Sequence, residues 1–286
     1  MTVASQRDIR RRIGAVKNIK QITRAMQFVA ASKLKRAQDA TLASRPYSEK
    51  LDEVLADLAA VLGEADHPLL AERPEGGKRL IVLITTDRGL AGPLNTNTIR
   101  FASREILDHP GDLTVVTVGR KGRDAMRRAG VPLEAHFAGF GDRPSFADTL
   151  PLARLITDDF LIGTYGQVDI IYSRFVSTLV QKPDMFQLLP IPETKDTEGI
   201  PGNQFIFEPG AAAVLEQLVP RYVATRIFQA VLEAKASEES SRMVAMKNAT
   251  ENAEDLIEDL TLSYNKVRQA NITREMIEIA SGAQAR

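Results

Sequence analysis

The chain carries two kinds of hydrophobic pattern. From about Val3 to Leu62, apolar residues recur at Ile9, Ile13, Val16, Ile19, Ile22, Met26 and Val29, then at Leu51, Val54, Leu55, Leu58 and Leu62. Steps of three and four residues are the period of an α-helix. Pro46 is the only proline of this stretch and predicts a kink or interruption at Arg45-Pro46. From about Pro209 to Ile279 the period is again helical, with one internal proline, Pro220, and Gly282 as a stop signal. Ala249, Ala253, Leu256, Leu260, Ser263 and Val267 are spaced 4, 3, 4, 3, 4, as in a coiled-coil seam with small residues at several positions. Helices of about 60 and 70 residues reach roughly 90 and 105 Å. Such lengths need a partner along the whole helix. An antiparallel coiled coil between the two chain ends is the economical solution.

Between these ends the pattern changes. Leu80 to Ile84 is a continuous apolar run, as in a buried strand. Residues 112–119 and 168–177 read as two more strands, with helices around 95–108, 121–129 and 146–163. Phe186 to Ile191 and Asn203 to Phe207 read as further strands, and 193–203 as a loop. Alternating strand and helix predicts an α/β fold, a Rossmann-like and mostly parallel sheet. The predicted layout is a helix over 1–62, an α/β domain over 63–208 and a helix over 209–286.

Charge adds an asymmetry that the net value of zero hides. Residues 1–50 hold twelve bases and three acids, net +9, and residues 233–260 hold eight acids and three bases, net −5. The two segments can attract each other or face charged partners. There is no cysteine, which excludes disulfides, thiol catalysis and zinc–thiolate sites. No apolar run is long enough to span a membrane, and the N-terminus lacks the apolar stretch of a secretory signal. Intracellular residence is the simple expectation.

Candidate chemistry is sparse. Gly76-Gly77-Lys78 precedes a strand and is followed by Arg79, the reverse of a phosphate-binding loop, so a linker is the better reading. The turn Thr86-Asp87-Arg88-Gly89-Leu90-Ala91-Gly92 follows a strand, where α/β folds often place a ligand, but lacks GxGxxG spacing. It is either a tight turn capped by Asp87 or a contact point. The run from Gly119 to Arg123 opens a helix and could hold a phosphate, although a solvated basic turn is the plainer reading. His67, His109 and His136 are scattered without metal-ligand spacing, and no nucleophile–base–acid set stands out. Neither an enzyme nor a nucleic-acid-binding coiled coil is well supported, the basic helix carrying only Phe28 and Tyr47 as aromatics. No cofactor is expected. One segment stays open on pattern alone: "LSYNKVRQANITREMIEI" (262–279) is helical with a polar centre at Arg268-Gln269-Ala270-Asn271.

Three stretches carry a resemblance. "IRRRIGAVKNIKQITRAMQFVAASKLKRAQ" (9–38), "TTDRGLAGPLN" (85–95) and the segment from Ala236 to Ala283 are similar to the N-terminal helix, signature turn and C-terminal helix of the gamma subunit of F-type ATP synthases. The resemblance implies a central rotor shaft without an active site of its own. Its coiled coil would turn inside a ring of three alpha and three beta subunits. Its α/β domain would stand on the c-ring beside epsilon, peripheral to the cytoplasmic side of a bacterial plasma membrane. At matching positions, Arg268, Gln269 and Thr273 would hydrogen-bond a catch loop of beta. Met26, with Val29 and Ala30 nearby, and Arg88, Leu90 and Ala91 would lie by an acidic lever of beta. Phe207 and Glu208 would meet the c-ring and epsilon. Pro93 departs from the glycine common there, which implies a stiffer turn.

Overall fold

The computed structural model describes residues 5–62, 69–70, 77–192, 207–208 and 210–284. Its elements, in chain order, are α1 (Gln6–Leu62), β1 (Arg79–Ile84), α2 (Leu94–Asp108), β2 (Leu113–Val118), α3 (Arg120–Arg128), β3 (Leu133–Phe137), α4 (Phe146–Leu161), β4 (Gln167–Phe175), β5 (Gln181–Leu189) and α5 (Ala211–Gln284). The chain divides into two compact units, residues 1–30 with 242–286, and residues 31–241.

In the first unit, α1 and α5 pair antiparallel. Gln6 Nε2 donates to the Tyr264 hydroxyl at 3.1 Å, Lys20 Nζ meets Glu254 Oε1 at 2.6 Å, and the Thr23 and Thr250 hydroxyls lie 2.8 Å apart. Rising numbers on one helix meet falling numbers on the other. On α5 the seam runs Thr250, Ala253, Ile257, Leu260, Tyr264, Val267, Asn271, which are half-buried or buried. The expected Leu256 and Ser263 face out instead. On α1 the seam begins at Ile9, Ile13 and Val16, continues through Lys20 and Thr23, and reaches buried Ala30. Ile19, Ile22 and Val29 are exposed. Their spacing explains this: Val16, Ile19 and Ile22 follow in two steps of three, which turns an apolar row off a 4-3 seam.

Within the second unit α1 and α5 also pair antiparallel, Ser48 meeting Gln229 and Asp52 accepting from the Tyr222 hydroxyl. Ser48 Oγ donates to Gln229 Oε1 at 3.0 Å, and the Arg221 guanidinium lies 5.7 Å from the Tyr47 ring centroid. α1 continues as one helix through Pro46, so of the expected interruption or kink the interruption does not occur. Pro46 stands on the exposed flank, while Ser48 and Leu51 beyond it are buried and anchor the helix that follows.

The sheet has the order β3-β2-β1-β4-β5. β1 to β4 are parallel and β5 is antiparallel to β4. β1 is buried along its whole length, as its unbroken apolar run requires. One face packs on α4, α5 and Leu58 of α1 through Val82, Ile84, Val116, Ile156, Phe160, Val219 and Ile227. The other packs on α2 and α3 through Ile81, Leu83, Val115, Ala102 and Met126. β3 and the first half of β5 are absent from the hydrophobic pattern. β3 is a short edge strand carrying Glu134 and His136, and β5 begins Gln181-Lys182-Pro183, the polar and proline-bearing composition of an edge. The strand expected over 203–207 falls on residues outside those described, save Phe207.

Candidate functional site

In a doubly wound sheet, ligands bind outside the carboxyl ends of the strands, where the strand order reverses. Here that place lies beyond β1 and β4, and the chain fills it with its own groups. The first four N–H groups of α3 form a potential anion site. Arg120 N donates to Asp87 Oδ1 at 3.1 Å, Lys121 N to the Thr86 carbonyl at 3.1 Å, Gly122 N to Thr85 Oγ1 at 2.8 Å, and Arg123 N to the Gly119 carbonyl at 3.4 Å. The other oxygen of Asp87 accepts from Gly139 N at 2.9 Å. Asp87 therefore ties the β1–α2 turn to the start of α3 and to the β3–α4 loop; it does not cap its own turn. The glycines are explained by close approach. Gly119 has φ +93°, and a Cβ there would lie 2.2 Å from the Thr85 carbonyl oxygen; at Gly122 it would lie 2.8 Å from Thr85 Oγ1. Gly77 is likewise a packing residue, since its Cβ would stand 2.7 Å from Gly166 Cα.

Helix α5 closes the rest of the crevice. Ser241 Oγ donates to the Ala91 carbonyl and Ser240 Oγ to the Thr178 carbonyl, both at 2.7 Å, and Gln181 Nε2 donates to Ser240 Oγ at 3.2 Å. Both serines are buried. Nearby, Lys33 Nζ lies 2.8 Å from Asp142 Oδ2, and that bond holds the Asp142 carboxyl below its ordinary range. Lys235 makes ion pairs with Glu238 at 2.9 Å and Glu239 at 3.5 Å. The Lys33–Asp142 pair ties α1 to the loop before α4, whereas the Lys235 pairs run within α5 at i,i+3 and i,i+4. No group of three or more metal-ligating side chains occurs among the described residues.

The expected contact residues sit as follows. Arg88 is exposed, its carbonyl held by Thr86 Oγ1 at 2.5 Å. Leu90 is 63% exposed and adopts φ +62°, a left-handed conformation unusual for leucine. Ala91 is 2% exposed, so its side chain faces inward and its carbonyl takes the Ser241 bond. Pro93 is the N-cap of α2, with φ −82°. On α1, Met26 is half-buried beside exposed Val29, and Ala30 is buried. Ile19, Ile22, Met26 and Val29 form a second apolar row, off the seam. On α5, Arg268, Gln269 and Thr273 are all exposed. Gln269 and Thr273 are four residues apart and share one face, pointing away from the seam at Val267 and Asn271. Ile272, Met276 and Ile279 form a further exposed apolar row that periodicity alone assigns to a core. Phe207 packs against the core of the sheet unit, and Glu208 is exposed. His136 Nδ1 lies 3.1 Å from Thr117 Oγ1 across β2 and β3; His67 lies outside the described residues.

Exposed apolar residues outside a helix seam mark a protein that contacts other chains. The comparisons agree with that class. The family model described as ATP synthase matches residues 5–285. A relative from Dehalococcoides mccartyi, "ATP synthase gamma chain", is 49% identical over 99% of both chains. Relatives with the same name from Chloroflexus aurantiacus and Desulfitobacterium hafniense are 48% and 46% identical, over 98% and 99% of both chains. This chain belongs to the ATP synthase gamma chain family. A chain of the Euglena gracilis mitochondrial ATP synthase shares the fold, with TM-score 0.69 and 23% identity over 98% of this chain and 94% of that one.

Proposed function

We propose that this chain is the central rotor shaft of an F-type ATP synthase. It couples ion-driven rotation of a c-ring to successive conformations of the catalytic beta subunits, and ATP hydrolysis drives the same cycle backwards. The observation that carries this reading is the pair of apolar rows outside the seam, exposed Ile19, Ile22 and Val29 with half-buried Met26 on α1, and exposed Ile272, Met276 and Ile279 on α5. Apolar rows left outside a completed seam mark contact with another chain. Relatives of nearly full length that bear the gamma-chain name support the same reading.

The residues divide by role. Arg268, Gln269 and Thr273 present donors and an acceptor on an outward face, suited to a loop of beta that is gripped and released. Met26 and Val29 offer a shallow apolar flank. Arg88 and Leu90 meet an acidic lever of beta by charge and apolar contact, and Ala91 positions them through its backbone. Phe207 and Glu208 belong to the foot that meets the c-ring and epsilon. The foot spans 63–208, and the coiled coil is built from 1–62 and 209–286. Only contacts that differ between states of beta can drive its cycle. In this reading the chain is a non-catalytic subunit, and the way Asp87, Thr85 and α5 take up the polar groups beyond the strand ends supports it. No described helix is long and apolar enough to cross a membrane. In the rotor reading, attachment to the cytoplasmic side of a bacterial plasma membrane runs through the c-ring.

The test is the subunit composition of the native complex. A rotor shaft predicts one copy of this chain per three alpha and three beta. A complex lacking the chain, or holding several copies, would sink the reading.

A further inference from the structure

The β4–β5 hairpin ends in an apolar tip that the fold itself does not use. Leu179 is 77% exposed, and Val176 and Val180 beside it are exposed as well. An exposed tip of this kind is normally polar and loosely held. This one is fastened. Val176 N and Ser177 N both donate to the Val180 carbonyl, at 3.2 and 3.0 Å, and Val180 N donates back to the Ser177 carbonyl at 3.2 Å. Gln181 Nε2 reaches the Ser177 and Thr178 carbonyls at 3.0 and 3.1 Å. Buried Ser240 of α5 then pins Thr178. Backbone order without local burial of Leu179 is the pattern of a preorganised contact.

The tip does not stand alone. β4 runs parallel to β1, so the hairpin lies at the same edge of the sheet as the turn that carries Arg88 and Leu90. Adjacent serines of α5 hold the two loops: Ser240 the hairpin and Ser241 the turn. Each loop offers an exposed leucine, Leu90 and Leu179, from a fixed backbone. The charges around them have one sign. The acids of this edge are engaged within the chain: Asp87 by Arg120 and backbone N–H groups, Asp142 by Lys33, Asp184 by Arg174 at 3.3 Å. Arg88, Lys121 and Lys182 are exposed and form no ion pair among the described residues.

We propose that the hairpin tip and the Arg88–Leu90 turn form one bipartite docking surface, and that its occupant is an acidic, amphipathic segment of the catalytic ring subunit. The two leucines take its apolar side, and the basic rim takes its carboxylates. This rests on the rotor reading and extends it from a single turn to two loops clamped on one helix. Two points of contact on a rigid base transmit sideways force without rotating about either point.

The experiment places a photo-reactive p-benzoylphenylalanine at Leu179 or, separately, at Leu90 in the assembled alpha–beta–gamma complex. The expected result is that both positions cross-link to the acidic segment of beta. If position 90 reaches beta while 179 reaches another chain or none, the bipartite surface is overturned and the rotor reading stands. If neither position reaches beta in a complex of correct composition, the turn contact falls as well. If the chain does not co-purify with the ring, the rotor reading itself fails. A second arm uses the sign of charge. Leu179→Glu is expected to lower coupled ATP synthesis about tenfold, as for a hot-spot contact, and Leu179→Arg markedly less. Equal losses for the two variants would overturn the acidic occupant.

Discussion

Two stretches of the same helix meet different fates. Between Tyr222 and Ser241 no residue of α5 is exposed. Between Glu254 and Ser281 most residues are exposed, and cover is confined to Ile257, Leu260, Tyr264, Asn265, Val267 and Asn271. The first stretch carries Val223, Ile227, Ala230 and Val231 against the sheet and ends in serines that pin two loops. The second carries as many large apolar residues, yet Leu262, Met276, Ile277 and Ile279 stay outside. Helical period alone does not separate a scaffold from a working surface. The difference lies in how many neighbours the chain itself supplies.

The largest expected effect breaks that contrast directly. Ile227→Ala removes a fully buried side chain and should cost ~2–5 kcal/mol in denaturant unfolding. Ile277→Ala, on the exposed stretch, should cost less than about 0.5 kcal/mol. Similar losses at the two positions would mean that the outer row is packed within the chain. Next in size is the internal plug. Asp87→Ala leaves Arg120 N and Gly139 N to solvent and should cost ~0.5–1.5 kcal/mol, with faster amide exchange at both. A variant with unchanged exchange would show that Asp87 is not what fills the start of α3.

A functional variant sharpens the same comparison from the other side. Arg268→Ala should leave unfolding of the chain unchanged and lower coupled synthesis about five- to tenfold. A loss of chain stability would instead assign Arg268 to the seam. The smallest effect concerns pH. Burial pushes the Glu233 carboxyl up from its ordinary value of 4.5, an effect only partly offset by the Tyr172 hydroxyl and by Arg174 and Arg45. A raised carboxyl pKa favours the folded state when protonated. Its stabilising share is complete below 4.5 and is lost as pH rises through the raised value. Glu233→Gln should therefore gain on the native chain as pH climbs through that window, by urea melts across pH. A pH-independent difference would remove burial as the cause.

How much of this was legible beforehand follows from the same physics. The long helices were readable because apolar steps of three and four persist over many turns. The buried strands β1, β2 and β4 were readable as apolar runs. The seam register was less so. Leu256 looks a better core residue than Ile257 on a 4-3 count begun at Ala249, but α1 faces the row through Thr250. The outward turn of Ile19 and Ile22 was present in the sequence as two successive steps of three. Edge strands β3 and the start of β5 were hidden because edges carry polar residues and proline. At the candidate site, the turn at 85–92 was visible as a motif. Its closure was not: Asp87 meets partners 33 and 52 positions away, and Ser240 and Ser241 are ordinary helix residues until the loops arrive.

The most direct measurement is rotation. The chain contains no cysteine, so Leu107→Cys gives one exposed attachment point on the sheet unit. With the alpha–beta ring fixed to a surface and a probe on that cysteine, a rotor shaft predicts full turns in one direction while ATP is hydrolysed. A probe that stays still in complexes that hydrolyse ATP would contradict it.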